Sequence, residues 1–576
     1  FKELAIDDKR FPPRQVLGRI HKEKQEGITA AEFEPRDHAE RVIAQCFSEY
    51  EKRLATANAV DFDDLLLKVL RILEDPKSAP GADLRRRFQH VLVDEFQDVN
   101  SVQYRLVRAF SAEHGNLFVV GDDDQSIYRW RGADVRIVRN FKRDMRGARI
   151  VKLEQNYRSS SNIVNAALAV IRSAKDREPK ELFTENPPGA LVLVVAAATE
   201  RDEAAFVVER VRELAEADVE LSEIAIFYRM HAQSRVLEEV LRAERIAYQV
   251  VGGVRFFERA EVKYLIAYLR VLSNPQSDVD LLRIINVPAR KIGDSTTEKL
   301  AAMARERGTC LFDAIEPLVA SDRLGPQPKK ALARFHALLS DLRSEIETIG
   351  PHDLAERIMV ESGYRQLLEL DASDEAEARL MNLQELLGSI AEFEEEALSA
   401  GEVPTVSSYL ERITLSAAAD DMKDAPKVAL MTVHAAKGLE FGHVFIVGLE
   451  EDTFPFRSQD PNREGDLEEE RRLAYVAITR ARHKLTLLHA ERRMIFGTTR
   501  YNAPSRFIAD LPPEVLDREM TESKKASGGR FIDRPMSGGE GRPQNQRFPH
   551  RHPPKMLVDQ RSAVRPFSRA RPLSRG

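Results

Sequence analysis

The feature that most constrains this chain is a change of rhythm along it. Short β-branched runs at Val91–Val93, Leu117–Val120, Arg149–Leu153, Leu191–Ala196 and Ile224–Tyr228 are each followed by a helical pattern. Strands that alternate with helices predict parallel sheets, because each crossover returns the chain to the same end of the sheet. From about residue 256 to 424 the strand signal stops. Val262–Leu272, Lys330–Thr348 and Glu375–Leu398 instead place apolar residues at three- and four-residue steps, the spacing of one helix face. Strand-like runs return at Val428–Val433, Val444–Val447 and Leu485–Leu488. The expected fold is therefore α/β, with a second parallel-sheet domain split around a helical insertion.

A chain of 576 residues exceeds what one hydrophobic core supports. The expected division is 1–60 helical, 61–150 a first α/β domain, 151–255 and 425–515 the two parts of a second, 256–424 the insertion, and 516–576 a tail. Val42–Leu54 and Phe62–Leu73 carry the helical pattern near the start. The tail is rich in Pro, Gly, Ser and Arg, too poor in apolar surface to offset chain entropy, and is expected to be disordered.

The formal net charge is −6, yet Thr521–Gly576 holds 13 Lys+Arg against 4 Asp+Glu. Exposed charges are screened beyond about 8–10 Å, so an acidic body with a locally basic channel still suits a polyanion. Cys46 and Cys310 stand far apart, which predicts neither a disulfide framework nor a thiolate zinc site and fits a reducing cytoplasm. The longest apolar run, Ala190–Ala198, is about half the ~20 residues a membrane helix needs, so no membrane partner is expected. The opening Phe-Lys-Glu-Leu lacks an apolar signal region and reads as a fragment of a longer chain.

Chemistry concentrates in five segments. Val91-Leu92-Val93-Asp94-Glu95 delivers two carboxylates at the end of an apolar strand, where a nucleotide motor holds Mg²⁺ (Asp94) and orients the attacking water (Glu95). A lone Asp-Glu is more often a solvated acidic turn. Gly121 to Ala133 interleaves acids, Gln125, Tyr128, Trp130 and Arg131, so Gln125 suits a phosphate sensor and Trp130 a platform for a base. A Trp taken alone is more often core. Arg158 in Gln155-Asn156-Tyr157-Arg158-Ser159 and Arg480 in Tyr475 to Ala481 offer planar cations suited to a transferring phosphoryl group, although a single arginine usually makes a surface ion pair. Thr432 to Phe441 adds His434, Lys437 and Glu440; His434 and Lys437 read equally well as turn residues.

Taken together and in this order, the segments resemble the UvrD/PcrA/Rep family of superfamily-one DNA helicases, from near Phe1 to about Pro512. Asp61-Phe62-Asp63-Asp64-Leu65, Tyr228-Arg229 and Gly252-Gly253 with Phe256-Phe257 add to the likeness. The resemblance implies two RecA-like parallel-sheet motor domains of the P-loop NTPase type that close on ATP and Mg²⁺ and draw single-stranded DNA in the 3′ to 5′ direction. Its tasks would be replication or repair, at duplex junctions and beside DNA-repair proteins. By the same resemblance Asp94 serves Mg²⁺, Glu95 the water and Gln125 the coupling of γ-phosphate to DNA. Tyr157 stacks on adenine, Arg158 and Arg480 reach the γ-phosphate, and Glu440 touches the ribose. Tyr128, Trp130, Arg131, His434 and Phe256 take DNA-contacting positions, and Arg290-Lys291 belong to an arm loop that touches duplex.

The chain departs from the family's pattern twice. Lys291 stands where the family usually has Gly, which puts the loop's backbone conformation in question. No G-x-x-x-x-G-K-[ST] loop occurs in the 576 residues, so the first sheet is expected to be incomplete and apolar at one edge, and the fragment inactive. The alternative reading is a non-hydrolysing DNA-binding or partner-binding module.

Overall fold

The computed structural model describes residues 1–526 except 2–3, 5, 8–9, 130–131, 175–176, 178–179, 372, 418–425, 458–466 and 496–497. Two parallel sheets organise them. In the first, β1 (Val91–Val93) pairs with β2 (Leu117–Val119), with Leu92 opposite Phe118. The second has eight strands: β3 (Val192–Thr199), β4 (Ile224–Tyr228), β5 (Tyr248–Val250), β6 (Val428–Thr432), β7 (Phe441–Ile446), β8 (Ala481–Ile495), β9 (Thr498–Tyr501) and β10 (Leu516–Met520). Their order is β10-β3-β8-β7-β4-β6-β5, and β9 joins β8 antiparallel.

Alternation along the strands gives the second sheet two buried faces. Phe227, Met431, Ile446 and Leu487 pack under the helices Ser161–Arg172 and Leu467–Ile478. Ile226, Leu430, Phe445 and Leu488 pack under Glu200–Glu216 and Ser234–Ala243. A strand covered on both faces gains nothing from polar alternation, which is why these strands read as unbroken apolar runs.

β5 and β6 are neighbours at one edge of this sheet, and the residues between them form the helical insertion, from Ala260–Ser273 to Val406–Ala417. Both ends of the insertion thus meet at adjacent strands, so the sheet is not interrupted. The insertion has its own core, including Leu269, Leu332, Phe335, Leu386 and Tyr409. Its base is ionic. Arg235, fully buried on the Ser234–Ala243 helix, donates to Glu385 at 2.8 Å and Glu392 at 3.3 Å of the insertion. Arg259 bonds Asn382 at 2.7 Å and Ser234 at 2.9 Å. Taking away one partner of such a buried pair costs about 3–5 kcal/mol, because the opposite charge stays desolvated.

Two sequence expectations need correction. Arg149–Leu153 forms no strand, and Ile150, Val151 and Leu153 are exposed; an apolar run extends into a sheet only where an edge is free to pair, and only Gln155 makes a bridge, to Phe183. The tail does not start at 516, since β10 pairs with β3 and the helix Glu522–Ala526 follows. An edge strand needs only one backbone partner, so Asp517, Arg518 and Glu519 can point outward and hide the strand from a reading of hydropathy. Residues 527–576 lie outside the described residues. Among those described, no helix is long and apolar enough to cross a membrane.

Candidate active site

β1 ends on Asp94 and Glu95, both exposed. The chain turns sharply there: Glu95 has φ +50°, a left-handed conformation that costs a side-chain-bearing residue about 1–2 kcal/mol. Neighbouring contacts hold the strain. Phe96 N–H donates to Val120 O at 2.9 Å, its buried ring lies edge-on to Tyr104 and Phe141, and Gln97 Nε2 donates to the Glu95 carboxylate. Strain of this kind collects where a side chain must be aimed. Among the described residues the Asp94 carboxylate accepts only from Glu95 N–H, at 2.9 Å, and an exposed hard oxygen ligand at a strand's C-terminal end fits Mg²⁺.

The loop after β2 reaches the second sheet. Gln125 Nε2 donates to Asp122 Oδ2 at 2.8 Å. Ile127 is fully buried within the core of the second sheet, and Tyr128 OH donates to His434 O at 3.2 Å. Lys437 follows on the β6–β7 connection and spans the two sheets: its ammonium lies 3.1 Å from Glu95 Oε2, donates to Gln125 O at 3.0 Å and pairs with Asp98. Trp130 and Arg131 lie outside the described residues.

Opposite the carboxylates stand two guanidinium groups. Arg158 donates to Glu440 Oε2 at 2.6 Å and to Thr479 O at 3.3 Å. Arg480, in the turn after the Leu467–Ile478 helix, is 3% exposed, and among the described residues its guanidinium bonds only Val476 O, Leu439 O and Thr479 Oγ1. Among the described residues no carboxylate forms a salt bridge with it. Burial and then repulsion from Arg158 pull its pKa down to about 10, against the attraction of Glu95 and Glu440. A buried cation that neighbours another cation calls for an anion, and the guanidinium fork matches phosphate oxygens. Tyr157 is 77% exposed with its hydroxyl on Gln155 at 2.8 Å, leaving the ring face free to stack.

The structure thus gathers Glu95, Gln125, Lys437, Arg158, Glu440 and Arg480 about the junction of the two sheets, with Asp94 and Tyr157 at its exposed margins. It corrects the role expected of Phe256. That ring is fully buried against Phe257 and under the Arg259 guanidinium, 5.1 Å from its centroid, so here it is core at the base of the insertion rather than an exposed contact. Arg290 is half-buried, and its guanidinium donates to Val287 O at 2.7 Å, Ile284 O at 3.0 Å and Tyr268 OH at 2.6 Å, which fixes the loop while the charge remains unneutralised among the described residues. Lys291 beside it is exposed with φ +65°, the left-handed conformation a glycine takes without strain. The position keeps the glycine-type backbone, and Lys291 bears the cost. Sequence reasoning missed Arg177 and Lys180, which bind the buried Asp124 at 2.6 Å and 2.8 Å. A short charged stretch looks the same in sequence whether it is solvated or clamped.

Parallel sheets of the RecA type that bring acidic strand ends and arginines to one junction define an α/β motor protein. Comparison with known proteins narrows the class. Residues 1–146 match the UvrD/REP helicase N-terminal domain and residues 151–492 the UvrD-like helicase C-terminal domain. The ATP-dependent DNA helicase PcrA of Bacillus subtilis is 38% identical over 558 residues, covering 94% of this chain and 74% of the relative. Proteins of the same name from Staphylococcus epidermidis and Staphylococcus aureus are 39% and 38% identical, each covering 91% of this chain and 72% of the relative. The chain belongs to the UvrD/PcrA family of helicases.

Proposed function

We propose that these residues form the DNA-tracking and phosphate-sensing part of an ATP-dependent 3′ to 5′ DNA helicase of replication or repair, acting in the cytoplasm on single-stranded DNA at a duplex junction. The observation that carries the reading is Arg480: a buried guanidinium without a carboxylate partner among the described residues, beside Arg158 and facing Glu95. Arg158 and Arg480 bind the γ-phosphate, where arginines of this kind are worth about 10³–10⁵ in rate. Glu95 orients the attacking water, and its left-handed turn aims it away from the strand. Asp94 holds Mg²⁺, which when bound neutralises charge on the phosphates. Tyr157 stacks on the adenine and Glu440 meets the ribose. Gln125 relays the phosphate state to Tyr128, Trp130, Arg131 and His434, which contact the DNA. The two sheets and the insertion serve as first motor domain, second motor domain and duplex-facing arm.

The cradle for the β-phosphate is not among the 576 residues, since no G-x-x-x-x-G-K-[ST] segment occurs in them. They are expected to bind single-stranded DNA but to leave ATP unhydrolysed. A labelled oligo(dT) titrated into the 576-residue protein tests both parts. Binding that weakens steeply with salt, with Trp130→Ala costing about 1–3 kcal/mol, is the expected result. No binding at low salt overturns the DNA reading. A DNA-stimulated ATPase lost in Glu95→Gln overturns the expected inactivity and leaves the family unaffected.

A further inference from the structure

One ionic contact between the two sheets lies outside the chemistry just proposed. Asp124, 1% exposed at its side chain, receives Arg177 Nε at 3.1 Å and a second guanidinium nitrogen at 2.6 Å. Lys180 lies 2.8 Å from Asp124 Oδ2, the oxygen that also takes the shorter Arg177 bond, and it bonds Asp122 as well. Asp122 in turn holds the Gln125 amide. On its far side the Lys180 ammonium stands 5.9 Å from the ring centroid of Tyr475, which is buried in the helix that leads to Arg480. The three adjacent carboxylates Asp122, Asp123 and Asp124 have the ligand spacing of a cation site, but Lys180 and Arg177 already supply positive charge to two of them.

We propose that Arg177 and Lys180 are positioning residues that pin the Gln125 loop to the Tyr475 face of the Leu467–Ile478 helix, so that Gln125 and Arg480 move as one body. The chain of contacts is continuous: Gln125 to Asp122, Asp122 to Lys180, Lys180 to Tyr475, and Tyr475 C=O to the Thr479 amide at 3.0 Å, one residue before Arg480. Asp124 is the buried anchor, and Arg177 fixes it in two directions at once. The proposal rests on the functional reading above for its purpose, but the linkage itself exists without nucleotide or DNA.

Hydrogen exchange on the full 576-residue protein, free of ligand, tests it. The amides of Asp124 and Gln125 close the loop onto Asp122, and those of Thr479 and Arg480 close the helix end onto Tyr475 and Ala477. Lys180→Met and Arg177→Asp should each speed exchange at both places by about fivefold or more, the lower end of typical coupling between sites. The conservative variants Arg177→Lys and Lys180→Arg, which keep a cation on Asp124, should retain much of the protection, which a loss of general packing would not allow. If Lys180→Met fails to fold, Lys180→Gln, which keeps the stem beside Tyr475, replaces it. Faster exchange in the loop with Thr479 and Arg480 unchanged overturns the proposal, as does no change in either. A protein that shows the linked exchange yet binds no oligo(dT) would retain the pin and lose the DNA reading.

Discussion

Phe227 and Leu92 both sit inside short apolar strands of parallel sheets, yet Phe227 is wholly buried and Leu92 is 73% exposed. The eight-stranded sheet has helices on both faces. The two-stranded sheet buries one face against Phe96, Tyr104 and Ile137 and leaves Leu92 and Phe118 in the open. The difference teaches that the first region draws much of its order from anchors on the second: Ile127 in the larger core, Lys437 across the junction, and Arg177 with Lys180 on Asp124. Stability is then uneven along the chain, and local opening of the first region should cost less than opening of the large sheet.

The sharpest way to break the comparison is Phe227→Ala. Truncating an aromatic at the centre of a doubly covered sheet costs about 3–5 kcal/mol and should lower the urea midpoint of the whole second domain. Ile127→Ala comes next, at about 2–4 kcal/mol, but its effect should be divided differently. Exchange protection should fall in β1, β2 and the Gln125 loop while β4 and β6 keep theirs. Equal losses in both sheets would mean that the two open together and that the anchor picture is wrong.

Histidines separate the regions by sign. His489 on β8 is buried and its pKa is pulled down to about 4, chiefly by burial, from an ordinary 6.5. The unfolded chain therefore binds a proton that the folded sheet refuses, so stability is present above about pH 6.5 and lost as pH falls toward 4, by on the order of 2–3 kcal/mol for this one group. His21 behaves in reverse. Its hydrogen bond with Asp63 raises its pKa, so its contribution is present below the ordinary value and lost as pH rises through the raised one. Thermal melts between pH 4 and 8 should show His489→Gln flattening the acid loss of the large sheet. His21→Gln should matter more at acidic than at alkaline pH. The opposite pattern in either variant would refute the assignment.

The sequence was most legible where burial is complete. β3, β4, β6 and the centre of β8 announce themselves as apolar runs because both faces are covered, and the long insertion helices because one face is. Edge elements were harder: β10 carries Asp517, Arg518 and Glu519, and Arg149–Leu153 carries an apolar run with no strand to join. At the site, the order of segments pointed to Glu95, Arg158 and Arg480, which do meet at one junction. Motif position says nothing about burial, however, so nothing in the sequence showed that the Phe256 ring is enclosed or that carbonyl oxygens hold the Arg290 guanidinium. Arg177 and Lys180 escaped, and Lys437 was named without its partners, because a basic residue in a turn has the same spelling whether it faces water or a carboxylate.

The smallest expected effect tests the exposed face itself. Leu92→Thr with Phe118→Thr puts a β-branched residue on each strand, so strand propensity is retained while apolar surface is removed from water contact. Because neither side chain is buried, the urea midpoint should shift by no more than about 0.5 kcal/mol equivalent. Light scattering at rising protein concentration should fall, since an uncovered apolar face promotes association. A loss well beyond 1 kcal/mol, about the mean for point substitutions, would show that in solution this face is covered after all, and the contrast between the two sheets would then be one of partners rather than of construction.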